Sequence, residues 1–259
     1  MKNRKPTSSF KKDTPKFNQD WIYGLHACKH ALSNTKRHIQ KVMLTTEIYD
    51  VFMAEALLPN HIPYELRSGL EISKNLPPQA VHQGIAIQTK PLAQPSLEEF
   101  LIEHENTTNS CVVILDQLTD PHNIGAIMRT ASAFGAHAII TTDRGTPPLT
   151  GTIAKSASGA VEFLPFIRVT NLARSLDMLK KEGFWIIGLD ENGEKFLHEH
   201  DLKGKIGLLL GAEGPGLRRL SLESCDYLAK LPTVPPIGCL NVSNATAISL
   251  YEYKKQNAK

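Results

Sequence analysis

Leu210-Gly211-Ala212-Glu213-Gly214-Pro215-Gly216 decides how this chain is read. The apolar run Ile206 to Leu210 enters it as a buried strand, and three glycines follow within six positions. They free backbone N–H groups and permit positive φ, so the loop can turn sharply or approach a small ligand. The spacing is Gly-x-x-Gly-x-Gly rather than Gly-x-Gly-x-x-Gly, and it lies late in the chain, which disfavours a dinucleotide-binding fold. Taken alone, the loop is equally a tight strand-to-helix turn with Leu217 opening the helix. Its counterpart is Leu240-Asn241-Val242-Ser243-Asn244-Ala245, where three polar residues crowd the start of a final helix. N-capping accounts for one of them, not three.

Upstream of the glycine loop, apolar segments at Cys111–Leu115, Ala138–Thr141, Phe184–Leu189 and Ile206–Leu210 read as strands. They alternate with helical stretches at Ile124–Phe134, Thr152–Ser158 and Asn171–Lys181. Continuous apolar strands separated by helices imply a parallel sheet covered on both faces. A smaller α/β unit precedes it, with helices at Gly24–Ser33 and Glu47–Leu58 and strands at Ile39–Leu44, Ile62–Leu66 and 84–88. Pro91 and Pro95 bracket a linker, and Leu97, Phe100 and Leu101 stripe a short helix after it. The expected divisions are a basic tail over 1–20, a front module over 21–90, a linker with a short helix over 91–109, and a main domain over 110–259.

With 259 residues, 41% of them hydrophobic, the chain has ample material for a packed core. No apolar run approaches the roughly 18 residues of a membrane span, and no apolar leader opens the chain. Cys28, Cys111, Cys225 and Cys239 are too dispersed for a Cys-x-x-Cys motif, so they read as free thiols in a reducing compartment, Cys111 being buried in its strand. Cytoplasmic localisation is expected, with a mitochondrial location as the alternative. The net charge of +3 is weakly informative, but residues 1–20 carry Lys2, Arg4, Lys5, Lys11, Lys12 and Lys16 against Asp13 and Asp20. Such a tail cannot fold alone and suits a flexible arm that grips phosphates, or one with no specific role. His26, His104 and His137 lack metal-ligand spacing and read as surface or capping residues, so no metal is expected.

A third polar constellation is Asp120-Pro121-His122-Asn123-Ile124-Gly125-Ala126-Ile127-Met128-Arg129-Thr130. Pro121 marks a helix start, and Ile124, Ile127, Met128 and Ala131 form the apolar stripe. Arg129 falls about 140° around the wheel from Ile124, off the core face. By itself it is a solvated arginine.

The ordered triplet Asn123-x-Gly125-x-x-x-Arg129-Thr130, Leu210-Gly211-Ala212-Glu213-Gly214 and Leu240-Asn241-Val242-Ser243 resembles the three motifs of the SpoU (TrmH-like) RNA ribose 2′-O-methyltransferases, within the SPOUT superfamily. Ile22-Tyr23-Gly24-Leu25-His26-Ala27 and Val81-His82-Gln83-Gly84-Ile85 are similar to the opening and closing of that family's ribosomal-protein-like RNA-binding domain. The likeness runs from residue 21 to about 255. It is nearest to members that act on a guanosine ribose of large-subunit ribosomal RNA.

The resemblance implies an α/β domain closed by a deep trefoil knot, a homodimer, and S-adenosylmethionine held at Leu210, Gly211, Gly214, Leu231 and Leu240. It places Arg129 at the position of the base or of its partner through a phosphate. Since an arginine with a pKa above roughly 12 stays charged, the expected role of Arg129 is to orient the 2′-oxygen or phosphate. Glu213 would aim Arg129, and Asn123, Asn241 and Ser243 would complete the pocket. RNA, with ribosomal RNA favoured over transfer RNA, is the expected partner, and neither DNA nor a membrane is. A non-catalytic RNA-binding or ribosome-assembly protein is the rival class. Departures from the family pattern are Pro232, Pro235 and Pro236 in the 232–239 stretch, Cys239 before Leu240, and Asn244 at an apolar position; they bear on adenine recognition.

Overall fold

The computed structural model describes residues 21–258 apart from Glu213 and Ile237, so the basic tail lies outside the described residues. The front half is built from β1 (Trp21–Tyr23), α1 (Leu25–Ser33), β2 (Ile39–Leu44), α2 (Thr46–Ala54), β3 (Tyr64–Leu66), α3 (Gly69–Ser73) and β4 (Ile85–Thr89). Its four strands run in the order β1-β4-β2-β3, with β4 antiparallel to both neighbours and β2 parallel to β3. After α4 (Leu97–Glu103) come β5 (Ser110–Leu115), α5 (Pro121–Phe134), β6 (Ala138–Thr142), α6 (Gly151–Ser156), β7 (Phe166–Val169), α7 (Leu172–Lys181), β8 (Trp185–Leu189) and β9 (Lys195–Phe196). They continue into β10 (Lys205–Leu210), α8 (Arg219–Glu223), β11 (Tyr227–Lys230) and α9 (Val242–Gln256).

The expected parallel sheet is present as seven strands in the order β7-β6-β5-β10-β8-β11-β9, every neighbouring pair parallel. Alternation along each strand feeds two cores. Cys111, Val113 and Leu115 of β5, with Ile206, Leu208 and Leu210 of β10, pack under α5, α6 and α9. Val112, Ile114 and Leu209 face α4 and α7 on the other side. The buried stripe Ile124, Ile127, Met128 and Ala131 is as expected, and Cys111 is fully buried. No helix of the described residues is long and apolar enough to cross a membrane.

Several boundaries differ from the sequence reading. The second helix stops at Ala54 rather than Leu58, because Ala56 takes φ 53°. The strand expected from Ile62 starts only at Tyr64, after Pro63, which has no N–H to pair. The strand β7 escaped notice because Arg168 interrupts its apolar run; the guanidinium turns out of the sheet to the carbonyls of Thr146, Pro147 and Asp143. α3 was legible and missed, since Ser68 and Glu71 form a full capping box.

The front sheet and the parallel sheet share one apolar cluster, in which Ile22, Ala27, Cys28 and Ile85 join Ile153, Ala157 and Val161. At this seam a Cβ on Gly151 would overlap the carbonyl of Trp21, so α6 approaches β1 as closely as backbone permits. Tyr23 Oη lies 3.0 Å from Thr152 Oγ1. Glu162, its side chain wholly buried, accepts from Arg37 Nε at 3.1 Å and Nη2 at 2.6 Å and from Asn34 Nδ2 at 2.8 Å. A cavity of about 180 Å³ between the two sheets is lined by Ile22, Arg37, Leu149 and Phe166. Its arginines are committed to Glu162 and to Asp143, so it is a packing gap rather than a binding site.

Candidate active site

β5 and β10 are neighbours in the sheet with Leu115 and Leu210 in register. Chain order reverses here: β6 and β7 are added to one side of β5, while β10 and β8 lie on the other. The carboxyl ends of such strands open into a crevice at a topological switch point, the favoured ligand position in open α/β sheets. The loop after β5 leads to α5 and the loop after β10 is the glycine loop, so two of the three polar constellations meet at this edge.

The glycine loop is a tight hairpin rather than a simple turn into a helix. Ala212 and Gly216 bridge each other, and Gly216 N donates to Ala212 O at 3.0 Å. A Cβ on Gly211 would overlap the backbone of Gly216 and Leu217, which explains the glycine there. Gly214 takes φ 85° with open space where its Cβ would be. Helix α8 opens at Arg219, two residues later than the sequence suggested, while Leu217 is buried as a plug. Leu210 is buried, Gly211 and Leu231 are half-buried, and Gly214 and Leu240 are exposed. This edge offers backbone groups and few side chains, which fits a small molecule held by main-chain contacts.

Asp116, not singled out from the sequence, fixes the hairpin from below. Its side chain is fully buried at the end of β5 and accepts from Arg218 Nε at 2.7 Å, from Arg218 N at 3.3 Å and from Ser221 Oγ at 2.6 Å. The signal available was a lone carboxylate ending an apolar strand, where a buried charge requires partners.

Asp120 caps α5, its side chain accepting from His122 N at 3.0 Å, and Pro121 occupies the first turn. Asn123 is buried on this turn, and its Oδ1 accepts from Asn241 Nδ2 at 3.0 Å. Asn241 is the N-cap of α9, and its Oδ1 accepts from Ser243 N at 2.9 Å and Ser243 Oγ at 2.6 Å. Asn123, Asn241 and Ser243, 118 residues apart from first to second, therefore form one hydrogen-bonded group tying α5 to α9. The buried side of α9 is Val242, Thr246, Ser249, Leu250 and Tyr253. Ile248, on the other side of the helix, is 43% exposed.

Arg129 is exposed and, among the described residues, makes no hydrogen bond or ion pair. Six residues beyond Asn123, it stands about 9 Å further along α5 and about 120° around it, so the structure does not bring it into the asparagine cluster. The expected pairing with Glu213 lies outside the described residues. The loop from Leu231 to Leu240 is exposed from Pro232 to Pro236, and Thr233 Oγ1 closes it by donating to Gly238 O at 2.6 Å. Among the described residues no group of three or more His, Cys, Asp or Glu side chains could hold a metal.

A parallel-sheet α/β domain with a backbone-rich ligand edge at its switch point, joined to a small mixed-sheet module, defines a two-part α/β protein with a small-molecule site. Comparison with known proteins places it further. Residues 110–251 match the SpoU rRNA Methylase family, and residues 21–95 match the RNA 2′-O ribose methyltransferase substrate-binding family. The chain is 36% identical over 241 residues to the 23S rRNA (guanosine-2′-O-)-methyltransferase of Pseudomonas aeruginosa, covering 91% of this chain and 96% of the relative. It is 39% identical over 244 residues to that of Coxiella burnetii, covering 91% and 95%. The SpoU methyltransferase AviRb from Streptomyces viridochromogenes, solved in complex with AdoMet, superposes with a TM-score of 0.76 at 20% identity, over 92% of this chain and 89% of that one. The AdoMet-bound rRNA methyltransferase from Sinorhizobium meliloti superposes at 0.75 with 22% identity, over 92% and 88%. This chain belongs to the SpoU rRNA methylase family.

Proposed function

We propose that this protein transfers a methyl group from S-adenosylmethionine to the ribose 2′-hydroxyl of a guanosine in large-subunit ribosomal RNA. The observation that carries the reading is the Asn123–Asn241–Ser243 group at the ligand edge, in a chain 36–39% identical to guanosine-2′-O-methyltransferases over nearly its whole length. A methylase domain joined to a substrate-binding module favours catalysis over a non-catalytic assembly role, and the 23S rRNA relatives favour ribosomal RNA, and with it work in the cytoplasm, over transfer RNA.

Leu210, Gly211, Gly214, Leu231 and Leu240 would hold the cofactor through backbone groups. When bound, S-adenosylmethionine supplies an electrophilic methyl on a sulfonium, so the chain's task is positioning and proton removal. A ribose hydroxyl is a weak nucleophile, and in-line attack requires its proton to leave in or before the displacement. The Arg129 guanidinium orients the 2′-oxygen or the adjacent phosphate, stabilising negative charge as it develops; the proton departs to phosphate or water. Asn123, Asn241 and Ser243 hold the starts of α5 and α9 together beneath this point, with Glu213 assigned to aim Arg129. The packing of α9 along α5 supports the knotted closure that the family likeness implies.

A homodimer is part of the same reading. Ile248 and Tyr251 are 43% and 59% exposed on one face of α9, and Tyr251 contacts Phe134 of α5 edge-on, 6.4 Å between centroids. An apolar strip beside the helix that carries Arg129, which makes no ion pair among the described residues, suits a second copy. Ile248→Asp is expected to give a monomer by light scattering; an unchanged mass would remove this face from the interface.

Mapping ribose methylation across all RNAs with and without the gene tests the function. Loss of one guanosine mark on large-subunit ribosomal RNA is expected. A lost mark on transfer RNA instead, or none at all, would overturn it.

A further inference from the structure

Helix α6 touches both the front module and the site helix. At its start, Gly151 and Thr152 sit on Trp21 and Tyr23 of β1. At its end, Ser156 packs so closely on Gly125 that a Cβ there would overlap it, and Ser156 Oγ lies 3.3 Å from His122 Nδ1. Lys155 lies between these contacts. Its stem covers the turn at Gly24, where an added Cβ would meet Lys155 Cγ at 3.2 Å and Cδ at 3.5 Å. Gly24 takes φ 92°, so only glycine lets the stem lie flat over the module's opening turn.

Among the described residues, Lys155 has no carboxylate partner and no hydrogen bond. Burial of its stem lowers its pKa from the ordinary value. Among the described residues, the polar side chains Gln83 and His82 beside it carry no negative charge. Gln83 Oε1 already accepts from Leu25 N at 3.1 Å, and His82 is itself lowered, chiefly by burial and further by the charge of Lys155. The stem is packed while the ammonium, without a counter-charge among the described residues, is left to bind an anion. His122 and Arg129, seven residues apart on α5, fall within about 20° of one another around the helix and about 10 Å apart along it. Helix α6 thus sets Lys155 at the module's opening turn and, one residue on, Ser156 against His122 of the helix that carries Arg129.

We propose that Lys155 binds an RNA backbone phosphate at the seam between the two halves and so sets where the target ribose meets Arg129. The inference rests on the proposed RNA methylation and adds to it a residue outside the three motif segments. Phosphate contacts fix the register and orientation of a nucleic acid without reading its sequence. Lys155 is therefore a positioning residue, which couples RNA captured by the front module to the reacting end of α5.

The test uses the full chain, an unmodified large-subunit ribosomal RNA transcript and a salt titration. Lys155→Gln and Lys155→Met remove the charge, the second keeping an apolar stem over Gly24. Either is expected to reduce the slope of log affinity against log salt by about one and to raise the KM for RNA roughly three- to tenfold, more than it lowers kcat. Affinity for S-adenosylmethionine, by calorimetry, is expected to be retained, and Lys155→Arg to restore slope and KM. An unchanged salt slope and KM in the folded Met variant would overturn the inference. If wild-type protein binds the transcript with a steep salt slope yet transfers no methyl, the function reading fails while the Lys155 comparison stays readable.

Discussion

The seam between the two sheets and the ligand edge of the parallel sheet use polar groups in opposite ways. At the seam, the buried Glu162 side chain accepts from the half-buried Arg37 and Asn34, and α6 is pressed onto backbone at Trp21. At the ligand edge, Gly214 leaves open space and the 232–236 stretch lies in solvent, and further along α5 Arg129 is exposed and, among the described residues, makes no hydrogen bond or ion pair. A buried ion pair and close backbone contact join the front module to the parallel-sheet domain. At the open edge the side chains that are bonded, Asn123, Asn241 and Ser243, are bonded to one another, and the glycine hairpin beside them leaves room for a ligand. The molecule is thus closed where its halves join and open beside its asparagine cluster.

Cutting the joint should produce the largest effect. Glu162→Ala leaves the Arg37 guanidinium buried without a counter-charge and is expected to cost about 3–5 kcal/mol in urea denaturation; a loss below about 1 kcal/mol would mean that water reaches the seam. The edge should answer in rate instead of stability. Arg129→Ala is expected to slow single-turnover methyl transfer about 10²- to 10³-fold, with the melting temperature preserved; near wild-type turnover would remove Arg129 from the mechanism. Asn241→Ala belongs to both regions, since it removes the α9 cap and the bond to Asn123. A stability loss of about 1–2 kcal/mol is expected, and no loss would mean that the cluster contributes nothing to closing the fold.

The smallest effect depends on pH. Burial raises the Cys225 thiol from its ordinary 9.0 to about 11, so the folded state favours the protonated form. That contribution is complete below pH 9.0 and is lost as pH climbs through about 11. Alkaline denaturation midpoints should therefore fall across this window, and Cys225→Ala should flatten the fall. A wild-type curve with the same slope as the variant would show that Cys225 contributes nothing.

Much of the parallel domain was legible because β5, β8 and β10 are uninterrupted apolar runs, and a strand buried on both faces announces itself in composition. β7 and β11 were not, since a single Arg168 or an alternation as short as Tyr227–Lys230 looks like loop. Of the candidate site, Asn123, Asn241, Ser243 and Gly211 were visible as motif members, and their meeting is what the fold adds. Asp116 left only a faint signal and Lys155 none. Asp116 is one acid at a strand end, and Lys155 is one lysine on a short helix; only burial among partners in the first case, and lack of a partner beside Gly24 in the second, sets them apart.

The sequence by itself determined the two-part organisation, the parallel sheet, the apolar stripe of α5 and the ordered set of motif residues, because periodicity and local chemistry are properties of neighbouring positions. Tertiary structure alone decided that Asn123 reaches Asn241 across 118 positions, that Asp116 clamps the glycine hairpin, and that α6 joins the front module to the site helix. Those contacts follow from the strand order, which inserts β10 between β5 and β8. Long-range pairing of this kind is set by how whole faces pack, and no local pattern in the chain encodes it.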